Sequence, residues 1–389
     1  MEKLQNRFTS MLADTPTVFH RYMWDTIDWN DRLIGLKGPR GIGKTTLLLQ
    51  RAKETLDRDS VLLVNADDLY FSGHTLVDLA DEFVRMGGEV LMIDEIHKYS
   101  DWSRELKLIY DYHKKLKVVF TGSSILDIEE GEADLSRRVV PYDMQGLSFR
   151  EYMELYHGMK LPVLTLAEIL SHKFTLPDTF RPCAHFEEYL RTGYYPFSDE
   201  PKFERRLMQV VNKTLEVDIP QYTEMTVAAI RKLKRLINIV AESVPFKPKI
   251  SSIAQVLGVS RNILPDWFVY MEKAGLVMQL RDDTGGIRGL GKVDKVYLDN
   301  TALMHMLTQN KADVGNVRET FFLNQTRVAH DVVTSSIADF QIGNYTFEVG
   351  GRNKKQKQIT GIPDAYVVKA DIEAGYLNVI PLWQFGLLY

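Results

Sequence analysis

A single cysteine, Cys183, in 389 residues leaves no partner for an intrachain disulfide. Such usage fits a reducing compartment, and a cytoplasmic protein is expected. No apolar run reaches the ~18 residues needed to cross a bilayer, so no membrane segment is expected. The opening residues MEKLQNRFTS lack the apolar stretch of a secretory signal. Charge of one sign is not in excess either, since 48 Lys and Arg face 52 Asp and Glu, a net charge of −4. The whole chain is therefore not a polybasic nucleic-acid binder, and any such affinity must come from a local patch. Low-complexity tracts and internal repeats are missing too. The remainder is ordinary globular material, 45% hydrophobic and 26% charged. At this length two or three domains are expected.

Against that background the stretch GPRGIGKTT, residues 38–46, is poor material for a hydrophobic core. It matches G-x-x-x-x-G-K-[ST] as Gly38, Gly43, Lys44 and Thr45. Its context sharpens the match: residues 33–37 read as a buried strand and residues 44–56 as an amphipathic helix. Strand, glycine-rich turn and helix make a phosphate cradle, because successive backbone N–H groups point into the turn and the helix N-terminus favours anions. Gly38, Pro39, Arg40, Gly41, Ile42, Gly43, Lys44, Thr45 and Thr46 are thus the expected ATP-binding residues. Lys44 would reach the β- and γ-phosphates, and Thr45 would place its hydroxyl on Mg²⁺. The plain alternative is a glycine-rich turn with an exposed lysine.

A strand ending in acids should accompany such a loop. EVLMIDEIH, residues 89–97, supplies a short apolar run, Val90 to Ile93, followed by Asp94 and Glu95. These acids fall at the strand's C-terminal edge, where ligands bind in open α/β sheets. Asp94 can hold Mg²⁺ through water, and Glu95 can orient an attacking water. A third strand, KVVFTGSS at 117–124, ends in small polar residues. Ser123 is the first choice to sense the γ-phosphate, with Thr121 and Ser124 as competitors. Strands at 33–37, 61–65, 90–93 and 117–121 with helices between them, WSRELKLIYDYHKK included, predict a parallel sheet covered on both faces. Arg137 and Arg138 then precede another strand-like run. An arginine there can reach a nucleotide on a neighbouring subunit, or the two are a surface pair.

GPRGIGKT, LMIDEIH, FTGSS, RRVV and LSFREY together resemble the motifs of a widespread group of bacterial and archaeal AAA+-type P-loop ATPases. The resemblance runs from about Trp24 to the C-terminus and is stronger in the first third. It implies ATP hydrolysis and a role on DNA. It also implies a winged helix and a C-terminal domain similar to PD-(D/E)XK nucleases. By the same resemblance Arg138 would be the trans-acting finger of a ring-forming homo-oligomer.

The expected architecture is α/β. A P-loop ATPase core over 1–145 is followed by a helical lid or linker over 146–228, a winged helix over 229–300 and a small nuclease-like domain over 301–389. In the winged-helix region, SSIAQVLGVSRNILPDWFVYMEKAGLV suggests two helices around a Gly-Val-Ser turn, with Ser260 as N-cap. Two strands around a glycine-rich tip would follow as the wing. From Thr226 to Pro265 seven cations, Arg231, Lys232, Lys234, Arg235, Lys247, Lys249 and Arg261, face one acid, Glu242. Such a patch favours phosphate backbones. Past Arg261 and Asn262 the second helix offers few side chains able to read bases, so contact with DNA is expected to be independent of sequence. The alternative use of a winged helix is subunit contact.

The segment ADFQIGNYTFEVGGRNKK alternates about Gly343-Asn344. A two-residue hairpin loop there pairs Ile342 with Tyr345 and, counting outward, sets Asp339 opposite Glu348. Two facing carboxylates call for a cation, a shared proton or full solvation. With Glu319 from an upstream helix they would form a Mg²⁺ site, the layout of PD-(D/E)XK nucleases. Position 350, where active members carry a lysine, is Gly350; Lys354 or Lys355 could reach back. A degenerate nuclease fold kept for binding or assembly is the expectation. Two rivals to a DNA-acting ATPase remain: a slow ATP-binding switch, and an ATP-gated metal-dependent nuclease.

Overall fold

The computed structural model describes residues 1–122, 135, 137–175, 180–223, 225–242, 247, 249–283, 292–355 and 357–389. The chain divides into two compact units, Met1–Gln145 and Gly146–Tyr389.

In the first unit five strands form one parallel sheet: β1 (Leu33–Lys37), β2 (Val61–Asn65), β3 (Val90–Asp94), β4 (Lys117–Gly122) and β5 (Val140–Asp143). Their spatial order is β2-β3-β4-β1-β5. β1 and β3 are buried along their whole length. That explains why they read as continuous apolar runs rather than alternating ones: helices cover both faces of the sheet. Among the described residues the helices include α1 (Glu2–Asp14), α2 (Met23–Thr26), α3 (Lys44–Thr55), α4 (Leu76–Arg85) and α5 (Trp102–Tyr112). α1 seats Leu4, Phe8 and Leu12, spaced by four, in the core. A reciprocal capping box between Thr75 and Asp78 starts α4. β1, one strand in from the β5 edge, lies between β4 and β5. The loop after β1 and the ends of β3 and β4 therefore emerge on one edge.

The second unit begins with helices, among them Phe149–His157, Phe203–Lys213 and Val227–Glu242. A shorter pair follows, Ile250–Leu257 and Leu264–Lys273, and then an antiparallel ribbon of β6 (Val277–Arg281) and β7 (Val293–Leu298). The helix Ile250–Leu257 stops at Gly258, whose φ is +59°, as a left-handed C-terminal cap requires. Ser260 does not cap the next helix, contrary to expectation. That helix starts at Leu264 with Ile263 at its cap position and Pro265 in its first turn. Proline suits the first turn, where its missing N–H costs nothing. The glycine-rich tip expected between β6 and β7 lies outside the described residues.

A five-stranded mixed sheet closes the chain, in the order β12-β11-β10-β9-β8. Its strands are β8 (Val333–Thr334), β9 (Phe340–Ile342), β10 (Tyr345–Gly350), β11 (Ala365–Lys369) and β12 (Val379–Pro381). The helix Val314–Thr326 is fastened beside it by Phe322, whose ring lies 5.0 Å from Phe340, 5.3 Å from Phe347 and 4.7 Å from Phe385. Buried polar contacts tie distant parts of this unit together. Gln325 donates to the hydroxyls of Tyr189 and Tyr389, and Arg327 pairs with fully buried Asp299.

Candidate nucleotide site

The loop between β1 and α3 has the backbone a phosphate cradle needs. Gly38, Gly41 and Gly43 have φ of +152°, +83° and +96°. A Cβ on Gly38 would stand 2.3 Å from the carbonyl oxygen of Met144, so no side chain fits there. Lys44 is buried and donates to the carbonyls of Gly38 and Pro39, both at 2.8 Å. Its ammonium thus lies inside the loop's own curve. Behind the loop, buried Arg21 donates to the carbonyl of Ile42 and, at 2.7 Å, to that of Gln145. Nothing in the sequence marks Arg21, because its contacts are to backbone atoms far along the chain.

Across the sheet edge, the ends of β3 and β4 complete the site. Asp94 accepts from Thr45 Oγ1 at 2.9 Å through one oxygen and from Thr121 Oγ1 at 2.5 Å through the other. Thr121 Oγ1 also accepts from the Glu95 amide at 3.1 Å. One buried hydroxyl therefore fixes the Asp94 carboxylate and the Glu95 backbone, a role apart from the γ-phosphate sensing for which Thr121 competes with Ser123. Ser123 and Ser124 lie outside the described residues. Glu95 adopts the left-handed conformation, φ +50° and ψ +46°, uncommon for a residue with a side chain. Its Oε1 accepts from Arg40 Nη1 at 2.8 Å. A hydroxyl and a carboxylate facing each other are the oxygen donors a hard divalent cation takes, so Thr45 and Asp94 fit Mg²⁺ in kind.

Arg138, expected to point at a neighbour, pairs within its own chain. Its Nε and Nη2 lie 3.3 and 3.2 Å from the Asp111 carboxylate on α5. That hydrogen bond is the main cause of the lowered Asp111 pKa. Arg137 is exposed.

In the second unit, contacts among the described residues engage Lys232, Lys234 and Lys247 of the patch. Lys232 donates to the Gly258 carbonyl at 2.6 Å, Lys234 pairs with Glu216, and Lys247 stands 3.6 Å from Asp294. Glu216 and Asp294 lie outside the counted window, so the sequence overstated the patch. Arg231, Arg235, Lys249 and Arg261 are exposed.

The hairpin register is found as counted for Ile342–Tyr345, Gln341–Thr346 and Phe340–Phe347. Beyond it the three-carboxylate metal layout of Glu319, Asp339 and Glu348 is not formed: among the described residues no three ligating side chains lie close enough to hold a metal ion. Lysines stand there instead. Lys295 Nζ is 3.9 Å from both Glu319 and Asp339, and Lys354 Nζ is 2.5 Å from Glu348. Asp339 spends its second oxygen on the Val349 amide at 2.9 Å. Burial, then the charge of Asp339, pushes Glu319 up to about 6. Burial raises Glu348 as well, against the pull of the Lys354 bond. A Cβ at Gly350 would meet carbons of Lys354 at 2.6–2.8 Å. The lysine missing from position 350 is thus replaced in space by Lys354, whose stem covers the glycine.

The class of protein follows from this geometry together with a family match. Residues 30–153 match the family model described as an AAA domain. With the parallel sheet and its glycine loop, this gives the chain an AAA domain and makes it an ATPase, α/β in its first unit. Residues 183–314 match a model described only as a domain of unknown function. No curated protein matches the chain. Among solved structures, the Walker-type ATPase of Pyrococcus abyssi is 13% identical, over 76% of this chain and 99% of that one, with a TM-score of 0.45. DnaA from Aquifex aeolicus is 14% identical over 68% and 86%, with a TM-score of 0.27. PCH-2 of C. elegans is 15% identical over 70% and 66%, at 0.26. No helix among the described residues is long and apolar enough to cross a membrane.

Proposed function

We propose that this ATPase is Mg²⁺-dependent, acts as a ring-forming homo-oligomer, and couples ATP hydrolysis to binding or remodelling DNA. The observation that carries the hydrolytic part is the bridge from Thr121 to both Asp94 and Glu95. In this reading the glycine loop's amides and Lys44 hold the β- and γ-phosphates, with Lys44 exchanging two loop carbonyls for phosphate oxygens. Thr45 and Asp94 would hold Mg²⁺, which neutralises phosphate charge when bound. Glu95 orients the attacking water, and Ser123 senses the γ-phosphate. Arg138 leaves Asp111 to complete a neighbour's site, an exchange made easy because that ion pair is partly exposed.

Exposed Arg231, Arg235, Lys249 and Arg261 support backbone contact with DNA, without sequence preference. The experiment is ATP turnover by the purified chain, with and without duplex DNA, across a salt series. Stimulation that fades with salt supports the proposal. ATP-dependent DNA binding with negligible turnover points to a switch, and turnover indifferent to DNA removes the DNA role.

A second reading, an ATP-gated nuclease in the second unit, is favoured by one observation, the Lys354 stem lying over Gly350 with its ammonium against Glu348. Mg²⁺-dependent nicking lost in Asp339→Ala would establish it.

A further inference from the structure

We infer that Arg40 is a positioning residue: it holds Glu95 while the loop is without nucleotide and passes to the terminal phosphate when ATP enters. Arg40 stands inside the glycine loop itself, between Gly38 and Gly41, so the backbone that surrounds the phosphates also carries this guanidinium. Its ion pair with Glu95 is shielded, the two side chains being 14% and 22% exposed. Lys44 is occupied in the same way, on the carbonyls of Gly38 and Pro39. Both loop cations thus rest on protein acceptors that phosphate oxygens can replace.

Glu95 is less free to move. Its amide is tied to Thr121 and its backbone is left-handed, so the exchange falls to Arg40. While Arg40 donates to Glu95 Oε1, that oxygen is not open to a water. The guanidinium fork also suits phosphate oxygens. One arginine then couples arrival of the γ-phosphate to release of the base. ADP, which lacks that phosphate, leaves the pair intact.

The inference rests on the phosphate reading of the loop, and the test separates the two. The affinities of a non-hydrolysable ATP analogue and of ADP are measured by calorimetry for the wild type, Glu95→Gln, Arg40→Ala and the double variant. Breaking the pair opposes binding of the analogue, so Glu95→Gln should bind it about tenfold tighter, within the usual coupling of contacting charges. ADP affinity should stay level. With Arg40→Ala already present, the substitution at Glu95 should change affinity less than about twofold. A gain that survives in that background would come from charge repulsion alone and overturns the inference, as does equal affinity of wild type and Glu95→Gln. No nucleotide binding by the wild type would remove the phosphate reading itself. If Arg40→Ala does not fold, Arg40→Gln completes the same cycle.

Discussion

Thr121 offers the sharpest perturbation of the site, because one fully buried hydroxyl serves Asp94 and the Glu95 amide together. Thr121→Val keeps the shape and suits a strand, yet removes the donor from a buried carboxylate and the acceptor from an amide. Losing a hydrogen bond to a charged group costs about 1.5–3 kcal/mol, and an unsatisfied amide adds to that. A fall of about 3 kcal/mol is expected, roughly 10 °C in the unfolding of a unit this size. Thr121→Ser keeps the hydroxyl and loses one buried methyl, worth about 1 kcal/mol. Thermal unfolding followed by circular dichroism, with phosphate release measured on the same samples, compares the two. The valine variant should melt several degrees below the serine variant. It should also turn over at least about tenfold more slowly, since Glu95 loses its anchor. Equal melting and equal rates in the two variants would refute the bridging role.

Other outcomes follow from the same geometry. Lys44→Ala should abolish nucleotide binding by calorimetry, and unchanged ATP affinity would remove the phosphate assignment. Arg138→Ala should leave melting almost unchanged, its ion pair with Asp111 being partly exposed. It should lower turnover only at concentrations where sedimentation shows an oligomer; an intact rate there excludes a trans-acting finger. Glu319, pushed up from 4.5 to about 6 by burial, holds its proton more tightly folded than unfolded. Its effect is therefore that stability falls as pH rises through that window and stays lower above it. Glu319→Gln still offers Tyr297 an acceptor. Relative to wild type it should gain on the order of 2 kcal/mol between about pH 4 and pH 7.5 in denaturant titrations. A difference independent of pH would show that Glu319 is not held in this strained state.

Much of the candidate nucleotide site was legible because it is built locally. Nine consecutive residues carry the loop, and the apolar run before Asp94 and Glu95 sets both acids at a strand end. The hairpin about Gly343-Asn344 was legible for the same reason, as far as Phe340–Phe347. Where long-range partners intervene, reading failed. Patch cations met Glu216 and Asp294 from outside the window, and the carboxylates counted as metal ligands met Lys295 and Lys354.

The sequence by itself determined the strand–loop–helix unit, the place of Asp94 and Glu95 at a strand end, and the turn at Gly343-Asn344. Near neighbours dictate these through backbone sterics and hydrophobic period. Tertiary structure alone decided that Thr121 joins the two acids, that Arg40 meets Glu95 and that Arg138 rests on Asp111. Each of those contacts joins groups at least 26 residues apart, and only the packing of the sheet and its covering helices brings their charges together.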